Sequence, residues 1–120
     1  MKITIKATGL ELTPSIQAYA EKRVESLEKF LRDGSENVLA QIEVGVISRH
    51  HKTGEIFRAE AKISAGKSVV YAEAQKEDLY AAIDEMQAKM ERELISLKNK
   101  KIKLAKKGET AVKKILHGTK

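Results

Sequence analysis

Apolar and polar side chains alternate at the start of the chain. Ile3, Ile5 and Ala7 fall on one side of an extended segment, and the polar residues between them fall on the other. This period of two predicts a strand over residues 1–7 that is covered on one face only.

A helical period replaces the alternation after Gly9. Thr13 and Pro14 suit the start of a helix, because a threonine hydroxyl can cap it and proline is tolerated at its first position. The helix is predicted to reach about Leu31, and the segment Asp33-Gly34-Ser35 is predicted to close it. Its apolar face is formed by Ile16, Ala20, Val24, Leu27 and Leu31.

Three strand-like segments follow without a helix between them, over residues 38–47, 55–64 and 67–74. The polar stretch 48–54 joins the first two, and the dipeptide Ala65-Gly66 joins the last two, so both connections are predicted to be hairpins. We therefore expect an antiparallel meander. The first strand should lie parallel to its successor, because the helical connection between them is long enough for a right-handed crossover.

A second helical period begins near Glu77. Its apolar positions recur at three- and four-residue steps: Leu79, Ile83, Met86, Met90, Leu94 and Leu97. The helix is predicted to continue to Lys107 and to end before Gly108. The order β-α-β-β-β-α predicts an α+β fold, a four-stranded mixed sheet with two helices packed on one face. Residues 1–107 would form this domain, and residues 108–120 a basic flexible tail.

Charge is distributed unevenly along the 120 residues. Residues 98–120 contain nine lysines and one acidic residue, whereas residues 1–97 contain 14 basic and 16 acidic side chains. A cationic end of this kind indicates a polyanionic partner, either nucleic acid or an anionic membrane surface, with a solvated lysine tail as the alternative. The chain has no cysteine, which suits a reducing compartment. No apolar run resembles a signal peptide or a bilayer span, so a cytoplasmic location is expected.

The sequence offers little catalytic chemistry. Gly66-Lys67-Ser68 resembles the end of a phosphate-binding loop, but strand residues follow it where that loop requires a helix. His50 and His51 are adjacent and would project apart, and His117 lies in the tail, so no metal site is predicted. We therefore expect no enzyme activity, no cofactor and no small-molecule substrate. Three acidic residues early in the second helix complement its dipole: Asp78, Asp84 and Glu85.

Basic residues on the second helix form a lateral stripe beside its buried face. At about 100° per residue, four cations fall within about 80° of one another. They are Lys89, Arg92, Lys100 and Lys103. Ser96 lies in the same stripe as a neutral gap. Such a stripe on a rigid helix can follow successive phosphates of a nucleic acid.

The first helix has a shorter basic side formed by Lys22 and Lys29, with Arg23 nearer the core. Because both helices are expected on one face of the sheet, their outer sides would form the two sides of a cationic groove. Intrahelical ion pairs such as Glu25 with Lys29 explain part of this pattern equally well.

The other face of the sheet is expected to carry mixed charges and one aromatic residue, Tyr71. Base stacking requires aromatic platforms, and the whole chain contains three Tyr, two Phe and no Trp. Duplex or folded RNA, contacted at phosphates and 2′-hydroxyls, is therefore a better match than single strands.

The two helices contain motifs typical of one known family. The first helix has Leu12-Thr13-Pro14, then Tyr19-Ala20-Glu21-Lys22-Arg23, then Leu27-Glu28-Lys29-Phe30. The second has Asp78-Leu79-Tyr80-Ala81-Ala82-Ile83-Asp84, followed by the basic continuation Lys89-Met90-Glu91-Arg92-Glu93-Leu94 with Lys98 and Lys100. With these motifs, residues 1–104 resemble the bacterial ribosome hibernation-promoting factors, also called ribosome-associated inhibitors or ribosomal subunit interface proteins.

The resemblance implies a fold like that of double-stranded-RNA-binding domains. It also implies binding to the small ribosomal subunit, in the channel between head and body where messenger and transfer RNA otherwise sit. The expected mechanism is occupancy, which inhibits translation and stabilises inactive ribosomes under stress or in stationary phase. Contacts to ribosomal RNA are implied for Lys22, Arg23, Lys29, Lys89, Arg92, Lys98 and Lys100, and we extend this set to Lys101 and Lys103.

Two departures from the family pattern qualify the resemblance. Ser96 stands where the family often has another basic residue, and we expect the chain to lack the separate C-terminal domain with which long members join two ribosomes. We therefore expect a short-type factor, monomeric away from the ribosome, whose partner is ribosomal RNA with or without ribosomal proteins. A structured-RNA-binding module acting off the ribosome is the alternative, and a membrane-surface element is weaker because it lacks an aromatic anchor.

Overall fold

Four strands and two α-helices follow one another in the order that the sequence predicted. The computed structural model describes residues 1–31, 37–47 and 54–116, with side chains as far as residue 99. The α+β order β-α-β-β-β-α confirms the predicted fold class. The elements are β1 (Lys2–Thr8), α1 (Pro14–Glu25), β2 (Val38–Ile47), β3 (Ile56–Ala65), β4 (Ser68–Lys76) and α2 (Leu79–Leu116), with a short 3₁₀ turn, Glu28–Phe30, after α1.

The strands form one mixed sheet in the order β1-β2-β3-β4. As predicted, β1 is parallel to β2, and the other two pairs are antiparallel. The register aligns Ile5, Ile42, Ala61 and Ala72 in one row across the sheet, and these side chains pack in or against the core. Side chains of the intervening rows point to the opposite face, which is mostly polar and includes the exposed Val69. The alternation in the sequence therefore predicted both faces correctly.

Both helices cover the apolar face of the sheet. α2 lies over β3 and β4, and α1 lies beside α2 near β1. Burial of apolar surface between the two layers removes it from water, which is the main source of stability in a domain of this size. The largest fully buried side chains are Val24, Leu27, Val44, Ile63, Ile83, Met86 and Met90.

α1 begins as predicted and ends earlier than predicted. The Thr13 hydroxyl accepts a hydrogen bond from the Ile16 backbone N–H at 3.2 Å, and Pro14 occupies the first turn. The helix ends at Glu25 and not at Leu31, because the Ser26 hydroxyl donates to the Arg23 carbonyl at 2.6 Å and competes with the helical backbone pattern. The predicted closing segment Asp33-Gly34-Ser35 and loop residues 48–53 lie outside the described residues.

α2 is longer than predicted. Its backbone is helical through Gly108 and as far as Leu116, so the predicted end before Gly108 is wrong. A single glycine costs a helix only about 1 kcal/mol relative to alanine, and the lysines and glutamate around it favour helix. At about 1.5 Å per residue, the 38 residues of α2 extend about 57 Å. A separate basic tail over residues 108–120 stays a prediction.

Two carboxylates tie neighbouring elements together at the surface. Glu85 of α2 lies 3.0 Å from the Lys76 ammonium at the end of β4, and Glu43 of β2 accepts a 2.7 Å hydrogen bond from the Thr8 hydroxyl of β1. The hydrogen bond from Lys76 lowers the pKa of Glu85, and the hydrogen bond from Thr8 lowers the pKa of Glu43. Each contact is therefore stronger while its carboxylate is ionised.

We expect Ile83→Ala to lower the free energy of unfolding by about 2–5 kcal/mol, because it leaves a cavity where a fully buried side chain stood. Urea unfolding followed by circular dichroism measures the loss. Ile95 on the same helix is 38% exposed and is the matched control. Its change to alanine should cost less than about 1 kcal/mol. Equal losses in the two variants would contradict this placement of the core.

We expect acid to destabilise the protein in part through Glu85. Its pKa in the folded state lies below the ordinary value of 4.5, so its contribution is present above about pH 4.5 and is lost as pH falls through the folded pKa. Glu85→Gln should therefore show a smaller drop in thermal midpoint between about pH 6 and about pH 3 than the parent. Glu93→Gln, at an exposed position in no ion pair with a described side chain, should follow the parent curve. Parallel curves for parent and Glu85→Gln would rule out this role.

Candidate nucleic-acid interface

α1 and α2 run side by side in the same direction. Tyr19, midway along α1, contacts Asp84 in the second turn of α2, and Ser26, at the end of α1, contacts Gln87 about one turn further along α2. Residues later in α1 thus meet residues later in α2. The two helices form a continuous surface on the side of the domain away from the sheet.

Arg23 joins the two helices through two side chains of α2. Its Nε lies 3.0 Å from Asp84 Oδ1, and its Nη2 donates to Gln87 Oε1 at 3.4 Å. The Nε atom is buried and its N–H does not point well at the carboxylate, so charge attraction rather than a directed hydrogen bond holds this pair. Arg23 is therefore a structural residue as well as a surface cation.

Asp84 and Gln87 are themselves held by further contacts. The Tyr19 hydroxyl donates to Asp84, and this hydrogen bond raises the pKa of Tyr19. Gln87 is only 7% exposed, and its amide nitrogen donates to Ser26 Oγ at 3.2 Å. Burial of an amide is tolerated when its hydrogen-bonding groups find partners. We call these five side chains, Tyr19, Arg23, Ser26, Asp84 and Gln87, the interhelical cluster.

Sequence reasoning missed the interhelical cluster. It assigned Asp84 to the helix dipole and did not consider Gln87, because their partners lie more than 60 residues earlier in the chain. A glutamine within the apolar period of α2 was the one available signal, since a polar residue at a buried position needs a hydrogen-bond partner.

Four of the predicted RNA-contacting cations are exposed on the helical face: Lys22, Lys29, Arg92 and Lys98. Within residues 1–31, 37–47 and 54–99, none of them forms an ion pair. The Lys29 ammonium lies 5.3 Å from the ring centre of Phe30, which braces the side chain by a cation–π contact. These four charges are therefore available to an external anion.

Lys89 has partners inside the protein. Its ammonium donates to the backbone carbonyl of Glu73 at 3.0 Å and lies 3.6 Å from Glu85. Glu73 belongs to β4, which pairs only with β3 among the described strands and is an edge of the sheet. A lysine over an edge carbonyl blocks the pairing of a further strand. The predicted role of Lys89 in RNA binding is not tested by these contacts.

The exposed cations of α2 lie on two sides of the helix. Lys98 is eleven residues beyond Gln87, about three turns, which places it on the side that faces α1. Arg92 is about 120° away from Lys98 around the helix, next to the groove beside β4. The predicted stripe continues at Lys100, Lys101 and Lys103, whose side chains lie outside the described residues.

An open groove of about 560 Å³ separates α2 from the edge of β4. Arg92 and Ser96 line it from α2, and Tyr71 lines it from β4. Ser96 is exposed there, as the predicted neutral gap in the basic stripe requires. The sequence did not indicate this groove, because nothing local says which strand lies beside α2.

The opposite face of the sheet is dominated by internal ion pairs. Arg58 pairs with Glu60 on its own strand, β3, and with Glu73 on β4, and the hydrogen bond to Glu73 raises the pKa of Arg58. The Tyr71 hydroxyl donates to Glu60 at 2.7 Å. Glu43, Glu60 and Glu73 stand in one row across the sheet, so this face is unsuited to a polyanion.

The candidate catalytic motifs have structural explanations. Gly66 and Lys67 form the two-residue turn between β3 and β4, with φ of 61° at Gly66, so no helix follows as a phosphate-binding loop requires. Asp78 caps α2 by accepting from the Ala81 backbone N–H at 2.9 Å. His50, His51 and His117 lie outside the described residues. In the described part of the chain, no cluster of side chains could hold a metal ion, and no helix is long and apolar enough to span a bilayer.

Comparison with known proteins agrees with this fold. A family model described as Sigma 54 modulation protein / S30EA ribosomal protein matches residues 3–102. The chain is 32% identical over 103 residues to the ribosome hibernation promoting factor of Azotobacter vinelandii, covering 85% of this chain and 87% of that protein. It is 28% identical over 100 residues to the ribosome hibernation promotion factor of Lactococcus lactis subsp. cremoris, covering 83% of this chain. The match spans 51% of that relative, about half its length.

A solved structure has the same architecture. The N-terminal domain of Thermus thermophilus Protein Y superposes with a TM-score of 0.66 at 27% identity, covering 78% of this chain and 96% of that domain. The match over residues 3–102 and the shared fold lead to one conclusion: this chain belongs to the family of Sigma 54 modulation proteins and S30EA ribosomal proteins.

Proposed function

We propose that this chain is a ribosome hibernation factor that binds the small ribosomal subunit in the channel for messenger and transfer RNA. The observation that carries the proposal is the exposed set Lys22, Lys29, Arg92 and Lys98 on the helical face, which form no ion pair with the described side chains. Family membership supports the ribosome as the partner, and the names of the relatives support hibernation as the outcome.

The proposed mechanism is occupancy. Cations fixed on two packed helices replace the counterions of ribosomal RNA phosphates, and their release favours binding. While the protein is bound, messenger and transfer RNA cannot enter the same channel, so translation stops without a chemical change in any RNA. A ligand that binds only the assembled subunit also stabilises it by mass action, which would preserve inactive ribosomes.

We propose contacts with ribosomal RNA for further cations as well, although two of them already have partners inside the protein. Arg23 and Lys89 keep intramolecular partners, so each would offer only part of its donors to RNA. Lys100, Lys101 and Lys103 would extend the contact along α2. We propose that the protein acts in the cytoplasm, without a cofactor or catalytic step, and is monomeric when off the ribosome.

The same surface would serve a structured-RNA-binding module that acts off the ribosome. Co-sedimentation with small subunits in the presence of excess naked duplex RNA separates the two functions. A hibernation factor should remain with the subunits, because the channel presents phosphates on more than one side. Complete transfer to the naked duplex would favour the off-ribosome module.

Charge reversal on α2 should abolish subunit binding and spare the fold. We expect the double variant Arg92→Glu and Lys98→Glu to lose co-sedimentation with small subunits at moderate salt, because it removes two cations and adds two anions beside phosphate. Both side chains are exposed, so each change should alter stability by no more than about 0.5 kcal/mol. Circular dichroism checks that the fold is retained.

The matched control reverses the same number of charges on the opposite face. Lys2 and Lys62 are exposed on the outer face of the sheet, and their double change to glutamate gives the same net charge. This control should still bind. If it loses binding as fully as the α2 variant, net charge rather than the helical face governs association.

Subunit binding should weaken steeply with salt. If roughly five to seven phosphates are neutralised, the logarithm of affinity should fall with the logarithm of salt with a slope of about −4 to −6. Titration at several potassium chloride concentrations measures it. A slope near −1 would indicate a protein–protein contact instead of the proposed RNA contact.

A further inference from the structure

Part of the Arg23 side chain contacts other residues of the protein, and part of it is exposed to solvent. Its Nε lies 3.0 Å from Asp84 Oδ1 and Nη2 donates one hydrogen bond to Gln87, yet its side chain remains 38% exposed. A guanidinium carries five N–H donors in a rigid plane, so donors of Nη1 and Nη2 remain for an external acceptor. Planar donors of this kind match the oxygens of a phosphate.

The side chains that hold Arg23 are in turn fixed. Asp84 accepts from the Tyr19 hydroxyl, and the Tyr19 ring packs edge-to-face on Tyr80 with 4.9 Å between ring centres. The amide nitrogen of Gln87 donates to Ser26 Oγ at 3.2 Å and to Glu91 Oε1 at 3.4 Å, which turns the amide oxygen of Gln87 towards Arg23.

From these contacts we infer that Asp84 and Gln87 are positioning residues that hold Arg23 in one rotamer, ready for an RNA phosphate. The inference rests on the proposed function. A long side chain normally loses rotamer freedom when it binds, and that loss weakens binding. Here the fold has restricted Arg23 beforehand, so the loss on binding is smaller.

Removing the charge of Asp84 tests the inference, because the two explanations of its role predict opposite changes in binding affinity. A carboxylate beside a phosphate site repels the phosphate, so removing its charge should strengthen binding if charge alone matters. If Asp84 acts by positioning Arg23, removing its charge should weaken binding. Asp84→Asn preserves the shape and keeps an oxygen acceptor for the Tyr19 hydroxyl.

We expect Asp84→Asn to bind isolated small ribosomal subunits about three- to tenfold more weakly than the parent at moderate salt. Glu93→Gln is the control for charge loss alone, since Glu93 is exposed on the same helix and outside the interhelical cluster. It should bind at least as tightly as the parent. Parent-like or tighter binding by Asp84→Asn overturns the inference.

A double-mutant cycle separates positioning from general support of the fold. In an Arg23→Ala background, Asp84→Asn should cause no further loss of binding, because the side chain that it positions is gone. Equal losses with and without Arg23 overturn the inference.

If Asp84→Asn lowers the thermal midpoint, Tyr19→Phe replaces it, since this variant keeps every charge and the ring contact. It should bind about twofold more weakly, and parent-like binding again overturns the inference.

Subunit binding by the double variant Arg92→Glu and Lys98→Glu distinguishes a failure of the proposed function from a failure of the positioning role. If that variant binds subunits like the parent, the proposed function is wrong. If it loses binding while Asp84→Asn binds like the parent, the proposed function stands and only the positioning role is wrong.

Discussion

The sheet has one apolar face, and that constraint organises the rest of the molecule. Rows such as Ile5, Ile42, Ala61 and Ala72 must be shielded from water, and among the described residues the two helices with an apolar face, α1 and α2, provide that cover. Both helices are therefore drawn to the same side. Their remaining surfaces then carry exposed cations, while several charges on the polar face of the sheet pair with one another.

Apolar burial brings the helices together, and the interhelical cluster determines how they align. Apolar attraction is not directional, so it permits small shifts of one helix along the other. Hydrogen bonds are directional and favour one alignment. Ser26 contributes twice, because its hydroxyl donates to the Arg23 carbonyl at the end of α1 and accepts from Gln87 on α2. The end of one helix and its alignment with the other thus depend on the same side chain.

Local periodicity predicted most of the fold, because burial on one face imposes a period of two on strands and near 3.6 on helices. β2 begins and ends at the predicted residues, and the other strands differ from prediction by one or two. Helix ends were less predictable. The competition at Ser26 shortened α1, and strong helix formers carried α2 through Gly108.

Part of the candidate site was likewise predictable from the sequence, and part was not. The exposure of Lys22, Lys29 and Arg92 was predicted from helical period, whereas Lys98 entered the prediction only through the family resemblance. The internal contacts of Arg23 and Lys89 were not predictable, because they join residues that are distant in the chain. Sequence patterns report which side of an element is polar, but they do not report which polar groups meet across a tertiary contact.

The parallel pairing of β1 with β2 has a consequence for how the chain folds. Lys2 pairs with Leu39, so β1 cannot enter the sheet until more than 30 further residues have been made, whereas β2, β3 and β4 pair through short hairpins. Distant pairings form slowly because the intervening loop must close first. During synthesis, β1 is therefore made well before the strand with which it pairs. Of the four strands of this sheet, it is the one whose place depends on the longest stretch of later chain.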